Sequence, residues 1–308
     1  SPTGAPNPSD PIVVDQNNLP RNRLFLVDLA SSSEKPITSG TYSVGGYEQW
    51  FPDTFTWAPD GRQIAFSKRP HAKAGGHLMG DVTLVSYKGG ELRGLVERAG
   101  MDGYPVWSPN GRQIAFISTE RDDWVTVSYL YTVDVETGRI RNITPDFDEK
   151  IGQFFWADDG KRILYIAGDR VGTQIYSVDT AAAQVQPLTE GTDFHSDLSV
   201  AQNGKHVAFV RQNAWQPPEV YFTSVAPFQP RCLSNVDTRR GDWPTIETDI
   251  IRWKSFDGME IEGLVHRPLG SKSGHCYPLL VVPHGGPHTV MSNTFVDGEF
   301  RLFAQRGW

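Results

Sequence analysis

Residues 57–67 read WAPDGRQIAFS, residues 107–117 read WSPNGRQIAFI, and residues 156–166 read WADDGKRILYI. A more divergent copy of this phrase, VAQNGKHVAFV, occupies residues 200–210. In the clearest copies, tryptophan ends one predicted strand, proline presets φ for a tight turn, and the following Asp-Gly or Asn-Gly pair tolerates positive φ. Apolar residues then alternate with others, which predicts a second strand directly after each turn.

The copies begin 50, 49 and 44 residues apart, and this spacing matches one four-stranded blade of a β-propeller. A further pair of predicted strands follows each copy, as in YLYTVDVETGRIRNIT at residues 129–144. The stretch RLFLVDLASSSEKPIT at residues 23–38 resembles such a pair without the phrase before it. The sequence therefore predicts a mainly β chain, a partial propeller of about four and a half blades whose tryptophans pack between neighbouring blades.

About four and a half blades are few for a closed propeller ring. A complete propeller is expected to close, because closure removes the exposed strand edges that a partial ring leaves open. Since the first outer pair lacks its inner half, we expect that further propeller sequence precedes residue 1. The alternative is a closed ring of four or five blades that residues 11–19 (PIVVDQNNL) help to complete. The opening SPTGAPNPSDP has neither an initiator methionine nor an apolar leader, which favours a processed start.

A different pattern begins after Ser234. The stretch IIRWKSFDGMEIEGLVHRP (250–268) predicts a hairpin around Asp257-Gly258. The apolar run of YPLLVVPHGGPH (277–288) is typical of a strand buried on both faces of a parallel sheet, and FRLFAQRGW (300–308) predicts a helix. We therefore divide the chain into an N-terminal loop and half-blade, propeller blades, a linker, and the incomplete start of an α/β domain, at residues 1–40, 41–236, 237–249 and 250–308.

The WxPDG repeats, the FDG hairpin and a strand ending in HGGPH resemble the prolyl oligopeptidase family of serine peptidases, especially its acylaminoacyl-peptidase and dipeptidyl-peptidase-like branch. The resemblance implies that a propeller caps an α/β-hydrolase domain that cleaves short peptides with a Ser-Asp-His triad. It also implies that Gly286 donates a backbone N–H to the oxyanion. The rest of that loop would support it: His284, Gly285, Pro287 and His288.

The nucleophile that the family requires is not among these 308 residues. No serine lies in G-x-S-x-G, since Ser43 (GTYSVGG) and Ser273 (GSKSGHC) fail at the flanking positions. We expect the triad to lie beyond Trp308, on further sequence or on another chain that holds the rest of the hydrolase, and the 308-residue chain alone to be inactive. The alternative is a non-catalytic TolB-like propeller that binds a protein partner, against which residues 250–308 merely dock.

The composition excludes some classes of binding partner. A formal net charge of −7 argues against nucleic-acid binding, and no apolar run reaches the ~18 residues that a membrane helix needs. We expect a soluble protein without membrane partners, for which a cytoplasmic location is slightly favoured. Cys232 and Cys276 form no metal-ligand pattern, and each is expected to be a small buried apolar residue.

No metal or cofactor is expected. His71 and His77 lie close together in a glycine-rich stretch, but a metal site would need a third ligand, for which Asp81 is the nearest candidate. The charged sequence ERDDW (120–124) has two interpretations: a solvated loop, which is favoured, or a loop that reads the terminus of a peptide. We expect the remaining propeller histidines to be ordinary structural residues: His195 and His206.

Overall fold

A computed structural model describes most of the chain. The described ranges are residues 19–45, 55–72, 75–121, 126–157, 160–236, 246–286, 290–295 and 298–308. The predicted half-blade is confirmed as a two-stranded sheet of β1 (Phe25–Val27) and β2 (Glu34–Pro36). The segment predicted to help close a ring, residues 11–19, lies outside the described residues except for Leu19.

Four antiparallel sheets follow, and they confirm the four predicted blades, numbered here in chain order. Blade 1 contains β3 (Ser43–Val44), β4 (Phe55–Trp57), β5 (Gln63–Arg69), β6 (Asp81–Ser86) and β7 (Arg93–Val96). Blade 2 contains β8 (Asp102–Trp107), β9 (Gln113–Ser118), β10 (Tyr129–Asp134) and β11 (Ile140–Asn142). Blade 3 contains β12 (Ile151–Ala157), β13 (Arg162–Asp169), β14 (Gly172–Asp179) and β15 (Gln184–Pro187). Blade 4 contains β16 (Phe194–Val200), β17 (His206–Gln212), β18 (Glu219–Ser224) and β19 (Arg231–Cys232).

The innermost strand of blade 1 is split in two. Val44 of β3 pairs with Lys68, and Phe55 of β4 pairs with Phe66, so both short strands lie along the same edge of β5. The Gly45 N–H donates to Ser67 O at 2.8 Å and fills the step between them. The blade therefore keeps a continuous ladder along this edge of β5, although the two halves are separated in sequence.

The repeated phrase folds as predicted. Gly61 and Gly111 have φ of +68° and +70°, the left-handed region that glycine enters without steric cost. In both copies the residue after tryptophan closes the turn, since Ala58 N–H donates to Gln63 O and Ser108 N–H donates to Gln113 O, each at 2.8 Å. The shared sequence therefore forms the same hairpin connection in blades 1 and 2.

The tryptophans of blades 2 and 3 pack between neighbouring blades, as predicted. Trp156 is only 6% exposed, and its indole N–H donates to Val106 O in blade 2 at 2.9 Å. Trp107 packs in one cluster with Ala58 and other apolar residues of blade 1. The prediction is wrong for Trp57, which is 44% exposed, because within the described ranges the half-blade before it contributes only β1 and β2.

Strand order assigns the loops to two faces. Because consecutive strands of each blade are antiparallel neighbours, the turns within the repeated phrase, between the first and second strands of each blade, all lie on one face. The connections β5–β6, β9–β10, β13–β14 and β17–β18 lie on the opposite face, together with the connectors between blades. We call this second face the docking face, since the C-terminal part of the chain contacts it.

The predicted hairpin and helix of the C-terminal part are confirmed. Strands β20 (Thr248–Lys254) and β21 (Glu260–His266) pair along their full length, and α1 spans Gly298–Gln305. Residues 277–283 form no strand in this structure, so the predicted burial of this segment in a complete parallel sheet stays a prediction. That segment pairs with no described strand, and Leu279 is 78% exposed, because a strand of a parallel sheet needs neighbours that the described residues do not supply.

Three further predictions concern the cysteines, the linker and membrane-spanning helices. Cys232 and Cys276 are free thiols, but the prediction that they are buried is wrong. Cys232 lies on β19, the outermost strand of blade 4, and edge strands expose their side chains to solvent. The predicted linker lies outside the described residues at 237–245, so the domain boundaries stay predictions. Within the described ranges, no helix is long and apolar enough to span a bilayer.

Candidate functional site

His284, Gly285 and Gly286 are exposed at the end of the apolar run. Gly286 has φ of +130°, a conformation that residues with a Cβ rarely adopt, so the backbone itself requires glycine there. His284 Nδ1 lies 3.2 Å from Gly285 O, and a Cβ on Gly285 would meet no heavy atom within 4 Å. Pro287 and His288 lie outside the described residues.

The hairpin before this turn contacts the docking face through ion pairs. Arg170, in the two-residue connection between β13 and β14, lies 3.0 Å from both Glu260 and Glu262 of β21. Arg252 of β20 holds Glu262 from the other side at 2.7 Å, and Val171 N–H donates to the same carboxylate at 3.4 Å. The network joins blade 3 to the hairpin.

The electrostatics of this network favour an ionised Glu262. Burial alone would raise the pKa of Glu262, but hydrogen bonds from Arg252 and Arg170 lower it on balance. Arg170 itself has φ of +55°, which costs about 1 kcal/mol or more for a residue with a side chain. Both arginine side chains are more than half exposed, whereas the Glu262 side chain is 6% exposed. Solvent screens the arginines, so the network fixes orientation more than it adds stability.

The residues between the turn and α1 contact the docking face directly. Phe295 N–H donates to Gln212 Oε1 at 3.0 Å, and Asn293 is fully buried. Both lie against the ends of blades 3 and 4. The segment that follows the HGGPH turn is therefore attached to the same face as the hairpin that precedes it.

Blade 2 contributes charged groups to the docking face. Asp102 is fully buried, and it accepts a hydrogen bond from Arg98 at 2.8 Å, while the same guanidinium donates to Ser118 Oγ at 2.7 Å. The Arg98 guanidinium also lies 4.5 Å from the ring centroid of Tyr131. The Tyr131 hydroxyl donates to Glu120, which holds the β9–β10 connection to the blade.

A cavity of about 340 Å³ opens in this connection. Its lining residues are Thr119, Glu120, Arg121, Thr126, Val127 and Tyr129. Of the predicted charged loop ERDDW, Glu120 and Arg121 thus border a cavity, and Asp122–Trp124 lie outside the described residues. Burial and the hydrogen bond to Glu120 raise the pKa of Tyr131, so its hydroxyl stays a donor to that carboxylate.

The residues considered as metal ligands in the sequence lie between β5 and the start of β6 of blade 1. His71 lies in the β5–β6 connection, the side chain of His77 is outside the described part, and Asp81 begins β6. Among the side chains that the structure describes, no three histidines, cysteines or carboxylates gather as metal ligands. Asp81 instead belongs to a group of charges with Glu97 and Asp102.

Burial raises the pKa of Asp81 to about 6, with further contributions from Glu97 and Asp102 and an opposing one from Lys68. Between the usual pKa of 3.8 and about 6, the folded chain binds more protons than the unfolded chain, so this group's contribution to stability falls as pH rises. We expect Asp81→Asn to raise the free energy of unfolding by about 1 kcal/mol at pH 8, an amount reduced by solvent screening, and to have little effect at pH 4.

Urea unfolding at pH 4, 6 and 8 measures this difference. Asp134→Asn is the matched control, because Asp134 is exposed and hydrogen bonds from Thr137 lower its pKa. That variant should therefore lose stability at pH 8 relative to pH 4. A gain for Asp81→Asn that is larger at pH 4 than at pH 8 would contradict the assignment.

The two propeller histidines are structural. His195 is 3% exposed, its Nδ1 lies 2.5 Å from Thr173 O, and burial lowers its pKa. His206 stacks on Phe222 with 5.5 Å between ring centroids. Both positions agree with the prediction of ordinary propeller residues.

Known proteins with this fold include peptidases. The chain is 25% identical over 294 residues to Dipeptidyl-peptidase 5 of Porphyromonas gingivalis, with 91% of this chain and 42% of that protein covered. It superposes on the Pyrococcus horikoshii acylaminoacyl peptidase with a TM-score of 0.67 at 19% identity, covering 92% of this chain and 41% of that one. The chain spans less than half the length of the curated relatives it matches.

The chain is also similar in structure to TolB propellers. TolB from Acinetobacter baumannii superposes with a TM-score of 0.50 at 17% identity, covering 79% of this chain and 57% of that one. The predicted resemblance to dipeptidyl- and acylaminoacyl-peptidases and to TolB-like propellers is thus confirmed. The family model for the TolB beta propeller domain matches residues 54–249, and the chain belongs to that family.

Proposed function

We propose that this chain is the propeller and the first hydrolase segments of a serine peptidase that hydrolyses short peptides through an acyl-enzyme. The observation that carries the proposal is the attachment of the FDG hairpin and of residues 290–295, on either side of the HGGPH turn, to one face of the propeller. A relative named Dipeptidyl-peptidase 5 covers most of the chain and supports a peptide substrate.

The proposed chemistry is acyl transfer at a serine. The serine hydroxyl attacks the peptide carbonyl, a histidine takes its proton, and the carbonyl oxygen becomes an oxyanion. The C–N bond then breaks as the histidine gives the proton to the departing amine, and water hydrolyses the acyl-enzyme that remains. Gly286 would donate its backbone N–H to that oxyanion, a contribution of ~10²–10³ in rate for one donor. The Ser, Asp and His would come from sequence beyond Trp308 or from another chain, and His284 and His288 would line the site.

The propeller would limit access to this site. Its docking face closes one side of the hydrolase segments, so a substrate has to fit between the two. Glu120 borders the cavity in blade 2, and a carboxylate there suits the charged amino terminus of a short peptide. This gives the charged loop the peptide-reading role that the sequence left as its second interpretation.

A fluorophosphonate probe, which reacts with activated serines, tests the proposal. We expect no labelling of the 308-residue chain and stoichiometric labelling of the same chain extended by the coding sequence that follows Trp308. Replacing the serine of the downstream G-x-S-x-G by alanine in the extended chain should abolish labelling. Labelling of the 308-residue chain itself would contradict the absence of a nucleophile.

The second candidate function is a non-catalytic binding propeller. The match of residues 54–249 to the TolB propeller family favours it, since that match covers the blades and the predicted linker and ends before most of the C-terminal part. On this hypothesis residues 250–308 serve as a docked extension, and the chain captures a protein partner. A reading frame without G-x-S-x-G in the hundred or so codons after Trp308 would select this function over the peptidase.

A further inference from the structure

Asn293 joins three separate loops of the docking face. Its backbone N–H donates to Val171 O at 2.6 Å, and its side-chain amide donates to Thr192 O at 2.9 Å. Its side-chain oxygen accepts the N–H of Ala214 at 3.1 Å. Asn293 is 0% exposed, and Val171 and Ala214 are also buried, so loss of the Asn293 side chain would leave the N–H of Ala214 buried without its acceptor.

The three acceptor and donor groups come from different parts of the propeller. Val171 lies in the β13–β14 connection of blade 3, Thr192 in the connector between blades 3 and 4, and Ala214 in the β17–β18 connection of blade 4. An asparagine is suited to this place because its amide presents a donor and an acceptor side by side. Neither aspartate as a carboxylate nor leucine, both similar in size, can satisfy both loops.

A second set of contacts fixes the place into which Asn293 fits. Asp193 accepts hydrogen bonds from Arg211 at 2.5 Å and from the side chain of Asn213 at 2.8 Å. Asn213 in turn accepts the N–H of Gln216 at 2.9 Å, which shapes the loop that carries Ala214. The propeller therefore holds the partners of Asn293 in position through its own side chains.

Asn293 lies seven residues after Gly286 in the sequence. A stretch of that length spans at most about 25 Å, so a fixed Asn293 limits where the turn can be. We propose that Asn293 is a positioning residue that tethers the HGGPH turn to blades 3 and 4, so that the propeller sets the position of the oxyanion donor. The catalytic part of this inference rests on the proposed function, whereas the tether does not.

Two spin labels, one on each side of the tether, measure it in the 308-residue chain. Cys232 on blade 4 is an exposed thiol, and Val290, between Gly286 and Asn293, is 56% exposed, so the labels are attached at Cys232 and at Val290→Cys after Cys276→Ser has removed the other thiol. Electron–electron double resonance should give a narrow distance distribution for the parent and for the control Asn203→Ala, which removes an exposed turn asparagine. Asn293→Ala should broaden the distribution at least twofold. An unchanged distribution would overturn the tether.

Asn293→Asp separates this role from a general loss of folding. At pH 8 the carboxylate cannot donate to Thr192 O, so the distribution should be as broad as for Asn293→Ala. Protonation at lower pH restores a donor of the same shape, so the narrow distribution should return on acidification. Equal breadth at both pH values, with circular dichroism unchanged, would contradict the hydrogen bond to Thr192 as the basis of the tether.

Kinetics of the extended chain test the catalytic consequence. With a dipeptide p-nitroanilide as substrate, Asn293→Ala should lower kcat about 10- to 100-fold and change KM less than threefold, because a displacement of about 1 Å impairs the reacting geometry. An unchanged kcat in an active parent would overturn the positioning role. If the parent does not hydrolyse the substrate, the proposed function fails, and the distance distributions still decide the tether.

Discussion

Trp156→Ala is expected to lower the free energy of unfolding by about 3–5 kcal/mol, the range for removing a large aromatic side chain from a core. The indole is 6% exposed between blades 2 and 3, and its loss would also leave Val106 O without the indole N–H. Little of the resulting cavity can close, because both neighbouring sheets are held by their own ladders. Urea unfolding followed by circular dichroism measures the change.

The repeat supplies the control for this experiment. Trp57 occupies the same position of the phrase in blade 1 but is 44% exposed, so Trp57→Ala should cost about 1 kcal/mol or less. The two variants remove the same atoms from the same position of the repeated phrase. Equal losses of stability at the two positions would show that the local turn, and not the packing between blades, sets the contribution of this tryptophan.

Gly286→Ala in the extended chain is expected to lower kcat about 10²–10³-fold, the effect of losing one oxyanion donor. Alanine is strained at φ of +130°, so the backbone should rotate and carry the N–H away from the substrate. The control is Gly285→Ala, which should lower kcat about tenfold or less, because its added methyl group meets no neighbour within 4 Å. Hydrolysis of a dipeptide p-nitroanilide measures both variants.

The pair of glycine variants also separates two explanations of the motif. A larger loss at Gly286 supports the need for its backbone conformation. If Gly285→Ala is as damaging as Gly286→Ala, then obstruction of the substrate carbonyl by a side chain is the reason for both glycines. A parent-like kcat for Gly286→Ala would remove Gly286 from the proposed oxyanion site.

Features with a local signal were predicted well. The turn glycines Gly61 and Gly111, the alternation after them and the hairpin around Gly258 depend on residues that are neighbours in sequence, and the structure has each of them. The same local pattern wrongly predicted that Trp57 packs between two blades, because the exposure of Trp57 depends on which strands precede blade 1. Copies of a phrase that are similar in sequence can therefore have different environments.

Contacts of the candidate site between residues far apart in the chain could not be predicted from any pattern in the sequence. Arg170 meets Glu260 and Glu262 about ninety residues later, and nothing in the sequence around it distinguishes this arginine from others in turns. Asn293 lies in a stretch without any motif. Its importance comes from three loops that only the folded blades bring together. The apolar run at 277–283 shows the opposite case, since its pattern predicts burial that the described residues cannot provide.

The split innermost strand of blade 1 has a consequence for how the blade is held together. Residues 46–54 separate its two halves in sequence, whereas only Ser67 separates their partners on β5. Each half has its own hydrogen bonds to β5, so either half can keep its register when the other is lost. The strand nearest the propeller axis thus consists of two separate attachments to one blade.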